Sequence, residues 1–197
     1  MSIALLACLV SGYAHAVTYT FTGGNFTNVS GPYTTAMRIT GTLITSTPIP
    51  PNYSGDLSGL LASWSFNDGV QTIDSANGAF HPNRTFYVGT DGSGNINSFE
   101  IFAMHLPLGT AIGDLDDYIN LEWLGQHAYI DTPCFDVQGG YCLNWSGGES
   151  GHAPPVTAVW VTSDLPIPPI PTMTQWSLML LALLLGMVGI VRVRRQV

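Results

Sequence analysis

The chain has 197 residues, thirteen acidic against five basic, and a formal net charge of -8 at pH 7. Every basic residue is an arginine, and so acidic a surface argues against nucleic acid and anionic lipid as partners. Charged residues make up only 9% and aromatics 11%, which excludes a disordered solvating tail and suits an exported domain wetted by Thr, Ser, Asn and Gly.

Residues 1–16 read as a secretory signal peptide. Ile3 to Val10 is an apolar run, and Ala14-His15-Ala16 supplies the small-x-small cleavage pattern. Residues 17–164, about 150 positions, suffice for one domain with its own core. All thirteen acids lie between Asp56 and Asp164.

Helical periodicity is nearly absent from this span. Val17 to Phe21 alternates, and so does Met37 to Thr45, with Met37, Ile39, Gly41, Leu43 and Thr45 on one face. Leu61 to Phe66 reads as a strand that turns at Asn67-Asp68-Gly69 into Val70 to Ile73. Thr85 to Val88 and Ile96 to Phe102 flank a second turn, Asp91 to Asn95. Tyr118 to Trp123 and His127 to Ile130 pair around Gly125, and Val156 to Val161 closes the domain. Short strands at about ten-residue spacing, punctuated by Gly, Asn and Pro, predict an all-β, antiparallel β-sandwich-like domain.

Cys134 and Cys142, eight positions apart in an oxidising compartment, predict a disulfide. Asp114, Asp116, Asp117 and Glu122 form an acidic loop whose carboxylates suit calcium; no other cofactor is expected. Asp91, Ser93, Asn95 and Asn97 alternate like a calcium loop, but a hairpin turn explains them better. Trp64 and Trp160 fall on alternating strands and read as core. Trp123 and Trp145 lie beside glycine-rich loops and are candidate sugar-stacking faces. Gly147-Gly148-Glu149-Ser150-Gly151-His152 has a superficial likeness to a serine-protease nucleophile loop. His127 and Asp131 lack the surroundings a triad needs, and the stretch reads as a glycine-rich turn, so no catalysis is expected.

Residues 165–171 form a proline-rich stalk, extended at ~3.1 Å per residue and open to a protease cleft. The uncharged run Ser177 to Val191 reaches about 22 Å as a helix, and Met173 to Trp176 extends it to about 28 Å. That nearly matches the ~30 Å bilayer core, so a single transmembrane helix is expected over 176–191. Trp176 suits one interface. Arg192, Arg194 and Arg195 hold the other side in the cytoplasm.

Ile170, Pro171, Thr172 and Met173, then Trp176 and Ser177, an apolar helix and a terminal Arg cluster together resemble the IPTL-CTERM sorting signal. Its tripartite design is shared with PEP-CTERM signals. Met173 stands where the family has Leu, and Ser177 where it has Gly. The resemblance, over 170–197, implies recognition by an exosortase-type membrane protease in a Gram-negative bacterium. It further implies a transient inner-membrane precursor, then release to the cell surface or extracellular polysaccharide. The expected role is structural or adhesive, with a carbohydrate-binding module supported by calcium as the alternative.

Overall fold

The computed structural model describes residues 16–82, 86–122, 125–154 and 159–164. The expected signal peptide, proline stalk and membrane helix lie outside these residues. So do Ile170, Pro171, Thr172, Met173, Trp176, Ser177, Arg192, Arg194 and Arg195, and so does Trp123.

Strands follow one another along the described chain as β1 (Val17–Asn25), β2 (Asn28–Val29), β3 (Arg38–Thr45), β4 (Ser54–Asp56) and β5 (Leu61–Asn67). Then come β6 (Thr72–Asp74), β7 (Gly78–Phe80), β8 (Tyr87–Thr90), β9 (Ile96–His105) and β10 (Leu115–Glu122). The last four are β11 (Gly125–Gln138), β12 (Tyr141–Trp145), β13 (Glu149–Ala153) and β14 (Val159–Asp164). A 3-10 turn, Ser58–Leu60, precedes β5.

Alternation decides which faces are buried. Val17, Tyr19 and Phe21 of β1 point inward, as do Ile39, Leu43 and Thr45 of β3 and Trp64 and Phe66 of β5. These strands belong to a five-stranded antiparallel sheet in the order β14-β1-β3-β5-β6. The second sheet runs β2-β13-β11-β10-β9-β8-β4, with β12 added to β11 and β7 to β9.

One core joins the two sheets. Phe21 of the first sheet meets Phe99 of the second at 5.7 Å between centroids, and Trp160 sits 5.0 Å from Phe21. Trp64 packs on Phe80 at 4.5 Å, and Phe80 stacks on Phe86 at 4.3 Å. Of the two tryptophans read as core, Trp64 is buried in it and Trp160 packs against it half-buried.

The all-β, antiparallel expectation holds, but the sheets curl into a half-barrel rather than lying as two flat layers. Register shifts supply the bend, between Thr22 and Asn25 on β1 and between Asp116 and Tyr118 on β10. Opposite the second shift, Asp131 adopts φ +50 and its N–H bonds Asp117 Oδ1 at 2.8 Å. The Gly147 to His152 stretch is not merely a turn. Its second half is β13, paired to both β11 and β2.

The Asp91 turn behaves as read. Its Oδ1 accepts from Ser93 N at 2.8 Å and Asn95 N at 2.9 Å, with Gly94 at φ +84.

Candidate functional site: an aromatic cleft on the outer sheet face

Strands β9, β10 and β11 place apolar or aromatic side chains on both faces. Phe99, Ile101, Ala103, Ile119, Leu121 and Ala128 fill the shared core. The opposite face, usually polar in an antiparallel sheet, carries a second cluster of Phe102, Met104 and Tyr118. Leu108, Tyr129 and Trp145 pack against it. Register builds this cluster as a grid. Tyr118 lies between Met104 and Tyr129, and Asn120 lies between Phe102 and His127. His152 of β13 follows next to His127.

The rings form a continuous stack. Phe102 and Tyr118 are 4.8 Å apart, Tyr118 and Tyr129 4.7 Å, and Phe102 and Trp145 5.4 Å, all near parallel. Phe102 and Tyr118 are buried; Tyr129 and Trp145 are half-buried and form the accessible rim.

Trp145 is held in place by groups far apart in sequence. The far half of β11 leaves β10 and pairs with β12, which sets Trp145 beside Cys134. The Cys134–Cys142 disulfide closes that hairpin with Cα atoms 5.7 Å apart, as the cysteine spacing predicted. Trp145 Nε1 donates to Asp116 Oδ2 at 2.7 Å, while Gly109 N donates to Asp116 Oδ1 at 2.7 Å. Asp116 is 2% exposed, and two N–H donors offset the cost of burying its carboxylate. Any Cβ on residue 109 would collide with that carboxylate, which accounts for glycine there. Cys142 N bonds Gly109 O at 2.9 Å, and the His81 ring nitrogen Nε2 bonds Cys142 O at 2.7 Å.

Between the rim rings lies a cleft of about 230 Å³, whose polar lining is Asn120, His127 and Asn144. Asn120 Nδ2 donates to Glu122 Oε1 at 2.6 Å, and its Oδ1 is buried without a hydrogen-bond partner. Asn144 Nδ2 donates to Asp136 Oδ2 at 2.9 Å. The His127 ring runs parallel to Tyr129 (8°, 6.1 Å) and sits 4.4 Å from His152. Burial, then His152, lowers the His127 pKa below its ordinary value, and Glu122 opposes this in part. Burial raises the Tyr129 hydroxyl.

The four carboxylates read as a calcium cluster are placed in separate roles. Asp114 Oδ2 accepts from Thr110 N and Ala111 N, at 2.8 and 2.9 Å, and those bonds lower its pKa. Asp116 holds Trp145, Asp117 caps the bulge at Asp131, and Glu122 holds Asn120. Among the described residues no three His, Cys, Asp or Glu side chains gather where they could hold a metal. Ser150 lies across from Tyr129 in register and bonds Ser30 through its N–H at 2.8 Å.

Of the residues singled out in the sequence, the structure brings Trp145, Asp116 and the cysteines into one site. Tyr129, one of the aromatics that could offer a sugar face, lines it too, and His127, weighed only as a triad member, joins it in another role; Phe102, Tyr118 and Asn120 went unread. Their signal was the run Ile101 to Met104, apolar at both phases of a strand where one phase should be polar.

Comparison with known proteins bears on the other end of the chain. No curated protein and no solved structure matches it. Residues 168–195 match the IPTL-CTERM motif, nearly the span and the motif read from the sequence. The chain therefore carries a C-terminal sorting signal of the PEP-CTERM type, the mark of a secreted or cell-surface protein handled by an exosortase-type sorting machinery.

Proposed function

We propose that the exported domain binds extracellular polysaccharide through the Trp145 cleft and acts as an adhesive component of the cell surface or matrix. The observation that carries this is a ring stack on the solvent side of the sheet, open at Tyr129 and Trp145 beside two amides and an imidazole. Sugars combine apolar C–H faces with hydroxyl rims, and half-buried rings flanked by fixed polar groups are complementary to both. Sorting supplies the delivery: a precursor held transiently in the inner membrane is cut by an exosortase-type protease and released where polysaccharide lies. A glycan array probed with the purified exported protein tests the reading. Binding to at least one polysaccharide class, lost in Trp145→Ala, is the expected result. An array with no binder overturns it.

A further inference from the structure

We infer that the cleft selects an uncharged sugar ring and rejects uronic acids and other acidic sugars; this rests on the glycan-binding reading above. Among the described residues the cleft lining offers acceptors and no fixed positive charge. Among the described residues the sole Lys or Arg is Arg38, on β3 of the other sheet. Both amides in the lining are oriented by carboxylates. Asn120 gives its N–H to Glu122 and Asn144 gives one to Asp136. An amide pinned through its nitrogen turns its oxygen away from that partner. For Asn120 that oxygen is buried and unpartnered in the cleft lining. A buried carbonyl left without a donor is costly, so a ligand hydroxyl that reaches it removes an existing penalty.

Negative charge edges the same face. Glu122 lies directly across from Glu100 in register, and both follow the outward phase of Asn120 and Phe102. A carboxylate on the ligand would enter beside Glu122 with no Lys or Arg among the described residues of the lining to offset it, and like charges at close range repel even through water. His127 does not supply the missing charge at neutral pH, because burial and His152 favour its neutral form. Size narrows the ligand further. At about 230 Å³ the cleft is smaller than the ~300–1,000 Å³ of sites that enclose drug-sized ligands. It takes one ring of a chain or a terminus.

The test uses affinity electrophoresis of the purified exported protein through gels containing a neutral glucan or galactomannan. Each is compared with the same polymer after its C6 hydroxyls are oxidised to carboxylates. Retardation by a neutral polymer, weakened by a factor of ten or more on oxidation and absent in Trp145→Ala, is expected. Glu122→Gln keeps an acceptor for Asn120 but removes the charge, and should recover roughly fivefold of the loss toward the oxidised polymer. Equal or tighter binding of the oxidised form, still abolished by Trp145→Ala, overturns the charge selection and leaves glycan binding intact. Failure of every polymer in both forms overturns the two together.

Discussion

Asp116 spends one carboxylate oxygen on the Trp145 indole and the other on the Gly109 amide. Asn at this position can accept one of these bonds but would turn an N–H toward the other donor. Asp116→Asn should therefore destabilise the protein by about 1–3 kcal/mol, read from urea unfolding, and red-shift tryptophan fluorescence as the indole loosens. Unchanged unfolding would show that the two bonds contribute nothing. His127 gives a second prediction. Its folded pKa lies below its unfolded value of 6.5, so the unfolded state takes up the proton first as pH falls. Stability is then full above pH 6.5 and declines below it. Melting temperature should drop more between pH 7.5 and 5.5 in the native protein than in His127→Gln. Asp116 was legible only as an acid among acids. Sequence spacing cannot reveal that a half-buried indole arriving from β12 is its partner.

At the scale of elements, the β11–β12 hairpin carries Trp145 to its place, and the disulfide closes it. Loop-closure arguments give so short a crosslink about 2.5 kcal/mol. The double variant Cys134→Ser/Cys142→Ser should lose stability of that order in chemical denaturation, and its affinity for polysaccharide should fall as well. Retained affinity would mean that Asp116 alone positions the ring. The long alternating strands β1, β3, β5 and β9 were readable because period-two burial is written into their residues. β2, β4 and β7 run two or three residues and exist only because a neighbouring strand accepts them. β13 was hidden by composition: Gly151 reads as a turn residue, yet the structure needs glycine there because Phe26 fills the space a side chain would take. β11 was read short. Pro133 interrupts its pattern near the point where it exchanges β10 and β13 for β12.

At the scale of the whole molecule, the sorting signal and the proposed glycan cleft occupy separate stretches of sequence. Replacing Pro171 and Thr172 should leave a membrane-bound precursor on immunoblots while the cleft keeps its affinity. Release of that variant at the normal rate would dissociate the 168–195 match from processing. Topology adds a constraint of its own. The first strand, β1, pairs with the last, β14, from Val17↔Asp164 to Thr22↔Val159. During export β1 emerges early and waits with one edge unpaired until nearly all of the domain has crossed. That edge belongs to a strand whose buried face is Val17, Tyr19 and Phe21, the kind of unpaired surface that recruits strands from other chains. Cleavage upstream of Asp164 would reopen it permanently. The released form should accordingly retain Asp164 at its C-terminal end or beyond, which intact-mass measurement of the secreted protein can read, and shorter forms should be found as aggregates.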